Sequence, residues 1–275
     1  MYSGFITHRH SYKRIGVHQR LDRASYRMIK NYFAAGSFPS IKQILHFEGV
    51  NGPDGLKVKS PGVADPDHFY DPLADTGELP KHVVHHYKKL VKVLEQRDMV
   101  RAAFEASWLA HYVVDGLTPA HHVLLSAEID RVCGALPTRE GKFLKYRATG
   151  EGSIKKNWAI WGTKGIIPTH HNFEVGIATA MLGRPVRVRL NQAKLARARE
   201  IGYMAYFKEE ALAVAKLDIY TEFQQKGWTT GIAAAIRTQI APAAVQTVGV
   251  IWLLAYLDAG LAELPLRVPG QATAK

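Results

Sequence analysis

Cysteine is almost absent from this chain of 275 residues, in which Cys133 is the single one. One cysteine excludes an internal disulfide and any metal site built from several thiolates. Residues 1–5 lack the long apolar stretch of a secretory signal, so we expect a cytoplasmic protein unless a leader has been removed.

Long apolar runs and strand-like alternation are also missing. The longest apolar run, residues 248–257, is too short to span a bilayer and fits a buried helix that ends at Asp258. Apolar side chains recur at helical spacing, which predicts helices at about 18–34, 81–95, 98–116, 119–132, 169–182, 191–225 and 241–262. We therefore predict an all-α protein, a multi-helix bundle forming a single domain over residues 1–275.

Two segments depart from this helical pattern. Residues 48–80 are rich in glycine and proline, which predicts an ordered irregular loop, and the acids and His68 within it favour a functional role. Asp71 in this loop either orients His68 or is a turn residue before Pro72. Residues 131–167 form a basic insertion with interleaved aromatic side chains. This insertion either docks on lipid headgroups or nucleic-acid bases, or it is a solvated loop that its tryptophans pin to the body.

Acidic residues are outnumbered, with 24 Asp and Glu against 36 Lys and Arg and a formal net charge of +12. This balance favours anionic partners such as phosphodiesters, phospholipid surfaces or nucleic acid. The chain has 13 histidines, and their clustering is more informative than their number. His82, His85 and His86 lie beside lysines, which predicts a solvated face rather than a metal site.

The strongest cluster of possible metal ligands lies between residues 108 and 121. His111 and Asp115 are one helical turn apart, so both side chains leave the same face of a helix. Gly116 and Pro119 then break the helix, which lets His121 approach from a new direction. Imidazole and carboxylate groups without thiolates suit a catalytic zinc or a similar divalent ion.

A second pair of possible ligands follows at His170 and Glu174, again four residues apart and just after Pro168, which is a helix-start signal. Neighbouring histidines leave two alternatives open, His122 in place of His121 and His171 in place of His170. The four-residue spacing to Glu174 favours His170.

Together these motifs resemble the zinc-dependent phospholipase C and P1/S1 nuclease superfamily, all-α phosphodiesterases with three zinc ions. The resemblance runs through most of the chain in order. The matching motifs are Gly16-Val17-His18, Asp54 followed by Asp67-His68-Phe69-Tyr70-Asp71-Pro72, the His-x3-Asp-x5-His series from His111 to His121, His170-x3-Glu174, and the helix from Gly249 to Asp258.

The resemblance implies two to three zinc ions. The implied ligands are Asp54, His68, His111 and Asp115 for the first ion, His121, His170 and Glu174 for the second, and His18, the other oxygen of Asp115 and the N-terminal amine and carbonyl for the third. Family chains usually begin with a tryptophan whose terminus binds zinc, and this chain has none near its start. The third ion is therefore missing, or His8 or His10 substitutes, or the native terminus differs.

The resemblance also implies the chemistry. We expect a metal-dependent phosphodiesterase that uses a zinc-activated water, with phospholipase C-like hydrolysis as the leading activity and Asp54 as the catalytic base. The expected partners are a phospholipid or other phosphodiester and an anionic membrane surface, with nucleic acid as a further possibility. The alternatives are a P1-like single-strand nuclease and a non-catalytic member that binds lipid or protein. Family members are often secreted.

Overall fold

The fold is described by a computed structural model over residues 16–59, 68–134, 147–148, 150–183 and 185–262. These residues form helices and no strand, with one isolated bridge between Asp71 and Thr76. The predicted all-α class is thus confirmed. The α-helices are α1 (Val17–Ile29), α2 (Ile41–His46), α3 (Pro53–Lys59), α4 (Leu79–Glu95), α5 (Met99–Gly116), α6 (Leu125–Cys133), α7 (Ser153–Trp161), α8 (Ile166–Ala180), α9 (Gln192–Ile201), α10 (Tyr203–Ala215), α11 (Ile219–Lys226), α12 (Thr230–Ala235) and α13 (Ala241–Asp258).

The long helices with regular apolar spacing lie where the sequence predicts them. The breaks between helices and the short helices do not match the prediction. A single helix over 191–225 is wrong, because Gly202 and Asp218 adopt positive φ angles and divide the segment into α9, α10 and α11. The predicted helix at 119–132 is a 3-10 turn, Pro119–His122, followed by α6. Helices α2, α3, α7 and α12 escape prediction because six to nine residues hold too few apolar repeats.

The two segments predicted as irregular each contain a helix. Residues 48–80 include a 3-10 turn, Gly49–Asn51, and α3, so an unbroken loop is wrong for the described part. Residues 60–67 lie outside the described residues. The carboxylate of Asp71 accepts hydrogen bonds from the backbone N–H groups of Leu73 and Ala74, which makes it a turn residue. The insertion at 131–167 contains α7, and residues 135–146 lie outside the described residues.

Helices α5 and α13 form the centre of the molecule. Trp252 on α13 is fully buried, and its Nε1 donates to the carbonyl oxygen of Ala106 on α5 at 3.0 Å. Helices α12 and α13 continue into each other through the π-helical turn Ile236–Ile240. The resulting helix, Thr230–Asp258, is long and apolar enough to cross a membrane, but 83% of its apolar window is buried inside the protein. That burial is what a core helix requires.

Helix α1 packs on α13 at a glycine. A Cβ atom at Gly249 would collide with the end of Met28, so the absence of a side chain lets the two helices approach closely. The hydroxyl of Ser25 donates to the carbonyl oxygen of Val245 at 3.0 Å across the same contact. This packing directs the buried face of α1, which carries His18 and Asp22, towards α5.

Helices α6, α7 and α8 contact one another around a small apolar cluster of their own. Ile129 of α6 and Ile160 of α7 are buried, and Ile166 and Ile167 at the start of α8 pack against them. The α7 segment is therefore packed against the body rather than solvated throughout. The assignment of residues 1–275 to one domain stays a prediction.

The C-terminal end of α5 packs closely against α10 at Gly116. A Cβ at Gly116 would collide with the ring of Phe207 on α10 and approach Leu79 to 3.2 Å. We expect Gly116→Ala to lower the free energy of unfolding by about 1–3 kcal/mol, the range found for overpacked cores. Urea unfolding followed by circular dichroism measures this change.

The control for this substitution is Gly231→Ala on α12, where an added Cβ meets only the Thr229 hydroxyl at 3.6 Å. That variant should be at least as stable as the parent protein, because alanine favours a helix over glycine. Equal stability of the two variants would show that Phe207 yields without cost and would contradict the expectation.

Candidate metal centre

Side chains from four parts of the chain meet beside the C-terminal half of α5. His111 and Asp115 lie one turn apart on α5 and are both buried. His18 comes from α1. The backbone N–H of Tyr70 donates to the carbonyl oxygen of His121 at 3.1 Å, and this bond fixes the segment after His68 against the 3-10 turn.

The Asp115 carboxylate lies at the middle of the cluster, and its two oxygens face different imidazoles. Oδ1 lies 3.3 Å from Nε2 of His18 and 3.3 Å from Nε2 of His121. Oδ2 lies 2.5 Å from Nδ1 of His68 and 3.3 Å from Nε2 of His111. Asp115 is 1% exposed, so this arrangement is not an accident of a mobile surface side chain. The geometry is that of a carboxylate able to bridge two ions.

A buried carboxylate orients His111. Nδ1 of His111 lies 3.0 Å from Oε1 of Glu48, which also accepts the backbone N–H of Gly49 at 3.0 Å. With Glu48 accepting from Nδ1–H, Nε2 is the ring nitrogen left to ligate a metal ion, which would displace any proton carried there. Nε2 is buried between Asp115 and Asp54, at 3.3 and 3.8 Å, and makes no good hydrogen bond to any residue that the structure describes. An imidazole nitrogen held this way fits a metal ion.

Asp54 joins His68 and His111 in a group whose ligand atoms all lie within 4.8 Å of one another. Asp54 lies in the first turn of α3, so its expected position in an irregular loop is wrong. Its side chain is 27% exposed, the most accessible carboxylate among the ion pairs of the centre. Solvent therefore reaches Asp54, whereas Asp115 is closed off.

The second group combines His121 of the 3-10 turn with His170 and Glu174 of α8. Nε2 of His121 lies 3.1 Å from Oε1 of Glu174, and Nε2 of His170 lies 3.7 Å from the same oxygen. Their ligand atoms again fall within 4.8 Å of one another. Phe173 and Ile177 on the buried side of α8 fix the rotation that presents His170 and Glu174 inward.

The neighbouring histidines point elsewhere. Nε2 of His122 donates to the carbonyl oxygen of Gly116 at 2.9 Å, and His171 is exposed. Of each adjacent pair, the geometry therefore brings His121 and His170 to the cluster. A third group consists of His18, His111 and Asp115, in which the rings of His18 and His111 stack at 4.1 Å. The N-terminus, His8 and His10 lie outside the described residues.

The electrostatics of the two groups differ. Burial lowers the pKa of His121 to about 4, so its imidazole is neutral at pH 7. Burial opposes ionisation of Glu174, but surrounding positive and hydrogen-bonding groups, His121 and His170 among them, lower its pKa to about 2. Burial likewise opposes the charge on His111, yet the carboxylates of Glu48 and Asp115 raise its pKa well above the usual range. The cluster around His111 therefore attracts a cation.

The donor set fits zinc. All ligand atoms in the three groups are imidazole nitrogens or carboxylate oxygens, which zinc binds at about 2.0–2.2 Å in tetrahedral sites. Two such bonds at the tetrahedral angle place neighbouring ligand atoms about 3.4 Å apart, which is within the 4.8 Å limit that the atoms of each group satisfy. The described residues thus contain three candidate groups for divalent ions, two of which share His111.

Sequence reasoning does not find Glu48 and Asp22, two buried acids beneath the cluster. Burial and the nearby Glu48 carboxylate raise the pKa of Asp22 well above its usual range. A signal for Asp22 exists, because it follows His18 by four residues, as Asp115 follows His111. Glu48 stands alone in an irregular stretch and gives no such signal.

The predicted solvated face at His82, His85 and His86 is wrong for His86. This residue is buried on α4, and its Nδ1 lies 2.7 Å from Oε2 of Glu105 on α5. Arg101 donates to the other oxygen of Glu105 at 2.8 Å. The three side chains form a hydrogen-bonded network that joins α4 to α5.

Comparison with known proteins relates the chain to others through its fold. No protein-family model and no curated protein sequence matches it. The structure is similar to that of Clostridium perfringens alpha-toxin from avian strain SWCP, with a TM-score of 0.59 and 15% identity. The match covers 90% of this chain and 64% of the alpha-toxin chain, less than two thirds of that protein's length. The likeness concerns the fold, and it agrees with the predicted all-α fold of the phospholipase C type.

The contact between Glu48 and His111 leads to the first prediction for the site. We expect Glu48→Gln to weaken zinc binding by roughly 10–100-fold, the usual effect of losing a carboxylate that orients a metal-bound histidine. Competition with a chromogenic zinc chelator measures the affinity. The matched control is Glu95→Gln, an exposed carboxylate at the end of α4. If both variants bind zinc equally, Glu48 does not orient a ligand.

The three ligand groups lead to a second prediction, on metal content. We expect about two to three zinc ions per chain after purification without chelator, since three groups of ligands are present but His111, which two of them share, can ligate only one ion. Removal of the metal should lower the melting temperature, because ligands on separate segments couple metal binding to folding. Elemental analysis and calorimetry with EDTA measure both effects. A content of one zinc ion or none per chain would contradict a cluster of several ions. A content of two would indicate that the His18 group holds no ion.

Proposed function

We propose that the chain is a zinc-dependent phosphoric diester hydrolase, and that its leading activity is phospholipase C-like cleavage of phospholipids. The observation that carries the proposal is Asp115, a buried carboxylate that presents its two oxygens to imidazoles from both sides. Closely spaced ions bridged in this way suit displacement at phosphorus. The likeness to the alpha-toxin fold supports the proposal at the level of architecture.

The ligand assignment is part of the proposal. The first ion is assigned to Asp54, His68, His111 and Asp115, the second to His121, His170 and Glu174, and the third to His18 and the other oxygen of Asp115, together with the chain terminus. Bound zinc would lower the pKa of a coordinated water and offset charge on the phosphodiester.

The acids at the centre differ in burial, and we assign them different roles. Asp115 is closed off from solvent and held by α5, which suits a rigid bridge. Asp54 is part-exposed, so water and substrate reach its carboxylate. Asp54 is therefore the group that accepts a proton from the attacking water. His121, neutral at pH 7, donates its lone pair to a ligand bond without first losing a proton.

The net charge of +12 suits an anionic substrate, and a phospholipid fulfils this condition. The direct test is hydrolysis of phosphatidylcholine, of other phospholipids and of single-stranded oligonucleotides, each with and without EDTA. Chelator-sensitive release of diacylglycerol supports the proposal. Chelator-sensitive cleavage of oligonucleotides alone would replace it with a P1-like nuclease. No cleavage by the zinc-loaded protein would leave a non-catalytic binding protein.

The separate roles of Asp54 and Asp115 give a third prediction for the centre. We expect Asp54→Asn to keep most of the metal but to slow hydrolysis by roughly 10²–10⁴-fold, the typical effect of losing a general base. Asp115→Asn should lose metal as well as rate, because it removes the charge of the bridge. Zinc content and turnover, measured on both variants, separate the two roles.

The matched control is Asp130→Asn, an exposed acid on α6 outside the cluster, which should retain both metal and turnover. If Asp54→Asn turns over at the parent rate, Asp54 is neither base nor essential ligand. In that case the assignment of the first metal site fails.

A further inference from the structure

Helix α7 presents an apolar face to solvent. Ile154, Trp158 and Trp161 are spaced four and three residues apart, so they lie on one side of the helix. They are 87, 68 and 44% exposed, respectively. Isolated exposed apolar residues are ordinary on protein surfaces, but three on one helical face, two of them tryptophans, form a contiguous patch.

This face is held in place by the rest of the helix. Ile160 on the opposite side is fully buried against the α6 and α8 cluster. The Asn157 side chain accepts the backbone N–H of Ala148 at 3.0 Å and donates to its carbonyl oxygen at 2.8 Å. The exposed apolar side chains therefore belong to a fixed surface and not to a frayed end.

Several cations lie close to the patch in sequence. Lys155, Lys164 and Arg147 are exposed, and Lys156 is half-buried. Glu151 is the one acid among the described residues between 147 and 164. Tryptophans and an aliphatic side chain among lysines are the composition of a helix that lies in a membrane interface.

We infer that the outer face of α7 docks on an anionic phospholipid bilayer. The aliphatic Ile154, the most exposed member of the patch, favours hydrocarbon over nucleic acid, because it has no ring to stack on a base. A two-fold pairing of two copies of this face would bring their lysines together, so the charge disfavours self-association. An anionic lipid surface satisfies both the apolar and the charged groups.

Because α7 leads directly into α8, docking through α7 would also position the proposed metal centre. The α7–α8 connection is short and bonded, since Gly162 N–H donates to Trp158 and Gly165 N–H donates to Gly162, each at 2.7 Å. Helix α8 then carries His170 and Glu174 into the metal centre. Docking through α7 would hold that centre at the lipid surface. This consequence rests on the proposed phospholipase activity, whereas docking itself does not require catalysis.

Co-sedimentation of the full chain with vesicles tests the inference. The vesicles consist of phosphatidylcholine alone or of phosphatidylcholine with phosphatidylserine. One variant, Ile154→Ser with Trp158→Ser, removes apolar groups, and another, Lys155→Gln with Lys164→Gln, removes charge. The matched control is Leu73→Ser with Val100→Ser, which removes two side chains that are 69 and 67% exposed elsewhere on the surface.

We expect the parent protein and the control to bind vesicles that contain phosphatidylserine. The apolar variant should lose most of this binding. In the charge variant, the affinity for these vesicles should fall about fivefold for each lysine removed. The loss should be smaller at high salt, where exposed charges are screened. Turnover of a small soluble phosphodiester should stay unchanged in both variants.

Several results would overturn the inference. These are no vesicle binding by the parent protein, equal binding by all variants, a patch-dependent dimer in sedimentation analysis, or patch-dependent binding of a labelled oligonucleotide in place of vesicles. Vesicle binding without hydrolysis of any phosphodiester would refute the proposed function and leave the docking surface intact. The two failures are therefore distinguishable.

Discussion

The buried charge of Asp115 is the constraint on which the rest of the centre depends. Burying a carboxylate is costly unless several groups of opposite or polar character surround it. Here four imidazoles from α1, α5, the segment at His68 and the 3-10 turn surround it. Neighbouring imidazoles hold its pKa well below the usual range despite burial. The four chain segments must therefore meet at one point, and the fold has to bring them there.

Close contacts between the core helices bring these segments together. Glycine at 249 lets α1 approach α13, and Trp252 ties α13 to α5. His18 thereby reaches Asp115 from a helix that lies far from α5 in sequence. Glycine at 116, one residue after Asp115, lets α10 pack against the same end of α5.

Sequence predicts the local part of this arrangement and not the long-range part. His111 with Asp115 and His170 with Glu174 are visible because a four-residue spacing fixes two side chains on one helical face. Glu48 meets His111 across 63 residues, and no periodicity encodes that contact. The boundaries between α9, α10 and α11 fall at Gly202 and Asp218, which have positive φ. Glycine is a recognisable helix-end signal, whereas positive φ at Asp218 is not visible in helical propensity. The short helix α7 is fixed by tertiary burial of Ile160.

Helix α8 contacts both the cluster of candidate metal ligands and helix α7, which carries the exposed tryptophans. On its buried side, Phe173 packs into the core. His170 and Glu174 face His121, which is itself a neighbour of Asp115. Its first turn packs against Ile160, whose helix presents the tryptophans outward. A helix packed on both sides transmits position rather than flexing. The distance between the exposed face of α7 and the candidate metal ligands is thus set by packing, as the proposed hydrolysis of lipids at a membrane surface would require.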